Sequence, residues 1–259
     1  MELTLIYYNQ AIKITVGGFM KLIQLEDKYF LYKKIKNINL VVSTANTEFG
    51  IHPKLENYNQ NIDFIKKKFD LLKIFTASQT HSNIVHTCDY DFVNGIEGDG
   101  LITKEKKCAV GVFTADCVPI FLFDINKQVV SVVHSGWKGI YKEIVLNAID
   151  VFIEKYNSSV SDICVYIGPH NMNCCYEIGE DLKNKFLNHE RFKNNLRIFN
   201  GNNLDMIECI KISLLSKGIL EQNINVINYC TYCSEEVKFY SYRKNNLSLN
   251  RIFSFIFID

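Results

Sequence analysis

The stretch that decides the fold is residues 108–135, which reads CAVGVFTADCVPIFLFDINKQVVSVVHS. It contains three runs of apolar, β-forming residues, at 108–113, 119–123 and 129–134. Short runs rich in Val, Ile and Phe are typical of buried strands. Because the connection at 124–127 is short, we expect these runs to be neighbouring strands of one sheet.

Strands and helices are also predicted on both sides of this stretch. Apolar residues recur at helical spacing in residues 55–72, and further amphipathic helices are predicted at 140–155 and 204–216. Additional strands are predicted at residues 3–8, 12–16, 38–43, 73–76, 84–86, 163–168 and 253–258. Strands cluster, and helices are interspersed without strict βαβ alternation. The pattern therefore predicts one α+β domain over residues 1–259, with mixed β-sheets and flanking helices.

The bulk composition excludes several classes of protein. The chain has 259 residues, of which 47% are apolar, and its formal net charge is only +1, so no strong field favours nucleic acid or an anionic membrane. The N-terminal segment has no basic region of a secretory signal, and the apolar run at 252–258 is too short to span a bilayer. Nine cysteines, an odd number, suit reduced thiols. We expect a cytoplasmic protein that binds neither nucleic acid nor membrane.

Three metal-capable side chains stand at the ends of apolar runs. His81 lies in the polar group QTHSN, Cys117 follows the run that ends at residue 113, and His134 ends the third run. Two imidazoles and one thiolate leave the fourth position of a zinc ion open, which distinguishes a reactive site from a structural one. Each residue also has an ordinary explanation, since an isolated His is often just a satisfied polar group and a free Cys often packs as a small hydrophobe. Asp116, beside the thiol, would be costly to bury without a partner.

The segment that follows His134 reads SGWKG and is a candidate anion site. Gly136 and Gly139 permit close approach of a ligand to the backbone, and the start of the next helix offers free N–H groups. Lys138 adds a positive charge. Trp137, the only Trp in the chain, suits either the core or stacking on a base.

Cys230 and Cys233 have CxxC spacing, but the sequence contains no second CxxC pair. A four-thiolate zinc site therefore lacks its other half. The adjacent Cys174 and Cys175 are not expected to supply it with ordinary geometry. A redox role for the CxxC pair is the alternative, and we expect neither a zinc site nor a redox role at these cysteines.

Eight short segments occur in one order over about two thirds of the chain. They are QTH at 79–81, GDGLIT at 98–103, TADCVPI at 114–120, HSGWKG at 134–139, IGP at 167–169, CYEIG at 175–179, CTY at 230–232 and FYSYR at 239–243. This ordered series resembles the laccase-domain family. Its members are called multicopper polyphenol oxidases or, more recently, purine nucleoside phosphorylases, and the family also carries a peptidoglycan-editing label.

The resemblance implies a catalytic metal, zinc or copper, held by His81, Cys117 and His134. It implies phosphorolysis of purine nucleosides such as adenosine, inosine and methylthioadenosine, with adenosine deamination as a second activity. The partners that it implies are a small purine nucleoside and phosphate. The sequence does not determine the oligomeric state, and we expect a monomer. The resemblance also implies a fold related to toxin-type cysteine hydrolases.

The roles of the remaining residues are hypotheses. Lys138 and Arg243 are candidates for phosphate binding. The purine would stack on Tyr176, Trp137 or Tyr242. The proton shuttle for deamination would be Asp116 or Glu177.

Two other activities remain open. A laccase-like polyphenol oxidase needs a coupled copper cluster with many imidazoles, and only four histidines remain outside the triad. A hydrolase acting on amides of peptidoglycan precursors would use Cys117 as a nucleophile activated by His134 or His81. A metal-binding accessory module without turnover is a third, non-enzymatic reading.

Overall fold

The computed structural model describes residues 5–7, 10–12, 20–193 and 195–259. The predicted strand over 12–16 lies almost entirely outside the described residues. The strands are β1 Leu5–Tyr7, β2 Gln10–Ile12, β3 Lys21–Leu25, β4 Lys28–Ile35, β5 Ile38–Ser43, β6 Lys73–Phe75, β7 Val85–Cys88, β8 Gly100–Thr103, β9 Cys108–Thr114, β10 Val118–Asp124, β11 Val129–Ser135, β12 Ile163–Ile167, β13 Phe199–Asn200, β14 Asn203–Leu204, β15 Ile224–Val226 and β16 Ile252–Ile258. The helices are α1 Tyr58–Lys68, α2 Trp137–Tyr141, α3 Ile144–Tyr156, α4 Glu180–Asn188 and α5 Met206–Ser216.

The fold is built mainly from two six-stranded mixed sheets. Sheet I has the order β15-β12-β10-β11-β8-β7, and sheet II has the order β3-β4-β5-β16-β9-β6. The pairs β12–β15, β7–β8 and β6–β9 are parallel, and the other pairs in these sheets are antiparallel. Two short hairpins, β1–β2 and β13–β14, pair separately.

The sheets pack face to face, with helices outside them. Ile120 and Leu122 of β10 pack in a core with α3 and α5, whereas Phe121 and Phe123 pack in the core between the sheets. The outer face of sheet II packs against α1 through Ile65. Because both faces of β10 are covered, its sequence is a continuous apolar run rather than an alternation. The prediction of mixed sheets with flanking helices is confirmed.

The three runs of residues 108–135 do form strands, but the prediction that they share one sheet is wrong. β9 belongs to sheet II, whereas β10 and β11 pair in sheet I. Residues 115–117 carry the chain from one sheet to the other, and Asp116 adopts a left-handed backbone conformation there, with φ 85°. The candidate thiol Cys117 therefore stands where the chain crosses between the sheets.

The helix predictions differ from the structure in detail. The predicted helix at 55–72 is the shorter α1, and α5 lies close to the predicted bounds. The predicted helix at 140–155 is divided into α2 and α3, because Glu143 between them has a left-handed backbone with φ 58°. The sequence pattern does not predict β3, β4, β8, β13, β14, β15 or α4. No helix in the described part of the chain has the length and apolarity needed to cross a membrane.

Candidate metal centre and pocket

Three separate elements bring His81, Cys117 and His134 together. His81 lies in the loop between β6 and β7, Cys117 ends the crossing between the sheets, and His134 lies near the end of β11. The His81 Nε2 atom is 3.8 Å from Cys117 Sγ, and one ligand atom from each residue lies within 4.8 Å of the others. His134 is buried, whereas the other two side chains are partly exposed.

Asp99, just before β8, is fully buried and organises this centre. Its Oδ1 accepts hydrogen bonds from the His81 backbone N–H (3.1 Å) and from His134 Nδ1 (2.7 Å). Its Oδ2 accepts from the Thr80 N–H and from both the N–H and the hydroxyl of Ser82. Because an ionised carboxylate only accepts hydrogen bonds, Nδ1 of His134 must be the donor. Nε2 of His134 is then left for the thiol or for a metal.

The electrostatics favour a thiolate at this centre. Burial alone would raise the pKa of the Cys117 thiol, but His134 and His81 outweigh it and lower the pKa to about 6. Burial likewise disfavours charged His134, but Cys117 and Asp99 raise its pKa to about 9. Burial would raise the pKa of Asp99, but hydrogen bonds from His134 and Ser82 lower it to about 2.

The backbone around the centre is tightly constrained. His81 has a left-handed conformation with φ 58°, an arrangement that costs free energy in a residue with a Cβ. A Cβ added to Gly136 would lie 2.7 Å from Cys117 Sγ and 3.3 Å from His81 Cδ2. Gly136 therefore leaves the space that the two ligands occupy.

The donor set fits one zinc or copper ion. Bonds of about 2.0–2.1 Å to nitrogen and 2.3 Å to sulfur place donors around a single ion roughly 3.3–3.8 Å apart. The 3.8 Å separation of His81 Nε2 and Cys117 Sγ agrees with that spacing. Two imidazole nitrogens and one thiolate are donors that both metals accept.

A cavity of about 710 Å³ opens beside the three candidate ligands. This volume is within the usual range for small-molecule sites. Besides the three ligands, its lining includes His52, Phe113, Trp137, Tyr176, Met206, Tyr242, Arg243 and Arg251. The cavity thus combines a candidate metal centre, several aromatic rings and two guanidinium groups.

The structure places two of the three predicted substrate-binding residues in this lining. The Arg243 guanidinium lies 5.4 Å from the ring centroid of Tyr176, and it donates a hydrogen bond to the Glu177 carbonyl. Lys138 is exposed and is not part of the cavity lining, and its ammonium group lies 5.6 Å from the centroid of the Trp137 ring.

Asp116 has the partners that its burial requires. Its Oδ1 accepts a hydrogen bond from the Thr231 hydroxyl, and its Oδ2 accepts one from the Arg243 backbone N–H, both at 2.7 Å. Both oxygens are therefore engaged in joining the crossing turn to the chain segments near residues 231 and 243. The Glu177 side chain is exposed and lies outside the cavity lining. Asp116 nevertheless lines the cavity, so its role as a proton shuttle stays a prediction, whereas Glu177 does not line the cavity.

Sequence reasoning missed three residues of the site. Asp99 lies in the GDG segment at residues 98–100. An acidic residue directly before a buried strand is the signal that could have identified it. His52 packs edge-on against Phe113, with ring centroids 6.2 Å apart, and Arg251 precedes β16. Neither lies in a motif, so no signal in the sequence pointed to them.

The fold and the centre together define a mixed α/β laccase-domain protein. The chain belongs to the multi-copper polyphenol oxidoreductase laccase family, whose profile matches residues 36–259. It is 41% identical to a purine nucleoside phosphorylase of Clostridium acetobutylicum, over 89% of this chain and 96% of that protein. It is 34% identical to a purine nucleoside phosphorylase of Borreliella burgdorferi, over 72% of this chain and 79% of the relative.

A solved structure has the same fold. The hypothetical protein YfiH of Bacillus licheniformis superposes with a TM-score of 0.80 at 23% identity, covering 89% of this chain and 96% of YfiH. The resemblance found in the sequence motifs is thus confirmed at the level of the family. The expected relation to toxin-type cysteine hydrolases stays a prediction.

Proposed function

We propose that this chain is a metal-dependent purine nucleoside phosphorylase. A phosphate oxygen attacks C1′ of the ribose, the bond from C1′ to purine N9 breaks, and the proton of the phosphate passes to the leaving purine. The products are the free purine and ribose 1-phosphate, or 5-methylthioribose 1-phosphate when the substrate is methylthioadenosine. The names of the relatives support this reaction class, and the substrates proposed are adenosine, inosine and methylthioadenosine.

The observation that carries the proposal is the position of the His81, Cys117 and His134 centre on a cavity of about 710 Å³. A cavity of that size has room for a nucleoside together with phosphate. The aromatic rings of the lining suit the purine ring, and its two arginines suit the phosphate dianion.

The three ligands would hold a zinc or copper ion, which when bound supplies Lewis-acid stabilisation of developing negative charge. Asp99 holds the His134 ring in position through its 2.7 Å hydrogen bond. In this proposal Tyr176 stacks on the purine, and Arg243 and Arg251 bind the phosphate, since guanidinium groups match phosphate geometry. Lys138 would contribute only long-range positive charge, because it lies outside the cavity lining.

The test is incubation of purified protein with adenosine, with and without phosphate. We expect adenine release that requires phosphate and is abolished by a chelator or by Cys117→Ser. Cys164→Ser is the matched control, since this partly buried thiol lies in β12 and outside the cavity lining. Adenine release at an equal rate without phosphate would contradict the proposal. Inosine formed without phosphate would report the proposed second activity, adenosine deamination.

A second candidate is thiol-dependent hydrolysis of an amide. The specific observation is the chain of contacts from Asp99 to His134 to Cys117, with a thiol whose pKa is lowered to about 6. This is the arrangement of an activated nucleophile. Hydrolysis of a peptidoglycan-type amide that survives complete metal removal and is lost on thiol alkylation would favour this candidate over phosphorolysis.

The remaining expectations complete the proposal. Among the described residues, the other group of metal-capable side chains is a cluster of four cysteines, which supplies no imidazoles for an oxygen-reducing copper cluster. We therefore propose that multicopper oxidase activity is absent. We also propose that residues 1–259 form one monomeric domain in the cytoplasm that binds no nucleic acid. Nine free thiols support the cytoplasmic location, and a net charge of +1 supports the absence of nucleic-acid binding.

A further inference from the structure

Four cysteines outside the cavity converge on one point. The Sγ atoms of Cys174, Cys175, Cys230 and Cys233 all lie within 4.8 Å of one another. Cys174 and Cys233 stand 3.7 Å apart, far beyond a disulfide bond of about 2.0 Å, and all four are free thiols. The sequence expectation that the adjacent pair could not complete the CxxC pair is wrong.

A tight turn explains why adjacent cysteines reach the same point. The Met172 carbonyl accepts hydrogen bonds from the backbone N–H groups of Cys175 (2.9 Å) and Tyr176 (2.8 Å), so the chain reverses across Cys174 and Cys175. A second turn, closed by the Ser234 N–H on the Cys230 carbonyl at 3.0 Å, presents the CxxC pair. The two turns face each other with two sulfurs each.

The sulfur spacing is that of a tetrahedral zinc–thiolate site. Zinc–sulfur bonds of about 2.3 Å imply sulfur–sulfur edges of about 3.8 Å. The distance between Cys174 and Cys233 is 3.7 Å, and no pair exceeds 4.8 Å. Four thiolates around a single ion are the donor set of a structural zinc site, which has no position left for substrate.

The surroundings of Cys230 suit a metal-bound thiolate. The Met172 N–H points at Cys230 Sγ from 3.5 Å. The Asn171 side chain is fully buried, with Oδ1 at 3.9 Å from the same sulfur, and its Nδ2 has no partner among the described residues. A rotation of the Asn171 amide group by 180° exchanges Oδ1 and Nδ2, so that Nδ2 faces the Cys230 sulfur. A Cys230 thiolate would then accept the N–H of Nδ2, which otherwise has no partner.

A positive charge stands beside the cluster. Lys244 Nζ lies 3.4 Å from the carbonyl of Tyr232, which is inside the CxxC turn. Four thiolates and one divalent zinc carry a net charge of −2, so a neighbouring ammonium group offsets part of it.

We propose that Cys174, Cys175, Cys230 and Cys233 bind a second zinc ion with a structural role. The ion joins the turn that begins at Met172 to the CxxC turn. Both turns lead directly into the cavity wall: Tyr176 follows Cys175, and the hydroxyl of Thr231 holds Asp116 at 2.7 Å. The ion therefore fixes the side of the cavity that carries Tyr176. The assignment rests on the geometry of the four sulfurs and is independent of the proposed reaction.

The first test counts metal in the full-length protein purified from cells supplied with zinc. We expect two zinc ions per chain by elemental analysis, and one in the Cys174→Ser/Cys233→Ser double variant. Cys88→Ser/Cys164→Ser is the matched control, which keeps both ions. His81→Ala removes the other ion and leaves this one. Loss of one zinc ion in each variant, and of both ions when the substitutions are combined, separates the two sites. A cysteine variant that still holds two zinc ions would overturn the proposal.

The second test needs no variant, so it holds even where the cysteine variant fails to fold. Alkylation of the wild-type protein is followed peptide by peptide, before and after removal of metal with a chelator. We expect Cys174 and Cys233, both exposed, to react about tenfold or more faster after chelation, because zinc-bound thiolates are protected. Cys164 should react at one rate throughout. The proposal would be overturned if Cys174 and Cys233 reacted at the same rate before and after chelation. A disulfide between two of the four cysteines, or bound iron in place of zinc, would also overturn it.

Discussion

At the scale of single residues, Asp99 connects the backbone of His81 to the imidazole ring of His134. One buried carboxylate accepts from the His81 N–H, from Thr80 and Ser82, and from the His134 ring. In Asp99→Asn the new NH₂ group would face N–H donors, because both carboxylate oxygens accept hydrogen bonds. We expect about a 10–100-fold loss of zinc affinity and about 2 kcal/mol of stability. Chelator competition and urea unfolding of the metal-free protein measure the two effects.

The control for this variant is Asp124→Asn. Asp124 is equally buried, but within the described part of the chain only its Oδ1 accepts, from the backbone N–H groups of Asn126 and Lys127. An Asn side chain retains such an acceptor, so we expect little change in stability and none in zinc affinity. A zinc affinity of Asp99→Asn equal to that of the wild type would refute the positioning role of Asp99.

Gly136 provides a steric test of the same centre. In Gly136→Ala the added methyl group would lie 2.7 Å from Cys117 Sγ, so the ligands must move apart. Overpacking costs about 1–3 kcal/mol, which corresponds to a loss of about 5–150-fold in zinc affinity. Gly179→Ala is the control, since nothing lies within 4 Å of its added Cβ. Unchanged zinc binding in Gly136→Ala would contradict the arrangement of ligands described above.

At the scale of elements, the start of α5 is joined to the turn before Tyr176. Asp205 caps α5 by accepting from the Glu208 N–H at 2.9 Å, and its other oxygen accepts from the Asn173 side chain. For Asp205→Ala we expect a loss of about 1–2 kcal/mol in urea unfolding and a raised KM for the nucleoside. The control is Asn195→Ala, which removes the cap of a single 3₁₀ turn. A KM unchanged in Asp205→Ala would argue against the coupling between α5 and the cavity wall.

The elements that could be predicted from the sequence are those with a strong periodic or continuous apolar pattern. This pattern occurs in β5, β10, β11 and α5, and the structure places these elements at or near the predicted bounds. β4 lacks it, because Lys33 and Lys34 interrupt the apolar residues. α4 buries only Phe186, so it has no apolar stripe to detect. The break between α2 and α3 depends on the left-handed backbone of Glu143, which its residue type does not favour.

At the scale of the whole molecule, the two sheets share one core, so they should unfold together. Leu101 and Phe121 of sheet I pack in the same cluster as Val110 and Ile256 of sheet II. We expect one cooperative transition in urea, with the fluorescence of Trp137 and the far-UV circular dichroism giving the same midpoint. Two separated midpoints would mean that the sheets are independent units.

The candidate site could be predicted in part, for a physical reason. Short polar segments at the ends of apolar runs contain His81, Cys117 and His134, and this pattern identified them as candidates. The convergence of the four cysteines depends on two turns whose backbone hydrogen bonds have no sequence signature. Arg251 and His52 reach the cavity from segments without motifs. The position of Lys138 over Trp137 is set by side-chain packing.

In the proposed reaction phosphate, and not water, cleaves the nucleoside. The most direct measurement is turnover of adenosine with unlabelled phosphate in ¹⁸O-enriched water, with products analysed by mass spectrometry. We predict unlabelled ribose 1-phosphate and unlabelled adenine from the zinc-loaded protein, and neither product from Cys117→Ser. Ribose carrying ¹⁸O at C1′ would show hydrolysis instead, and would contradict the account.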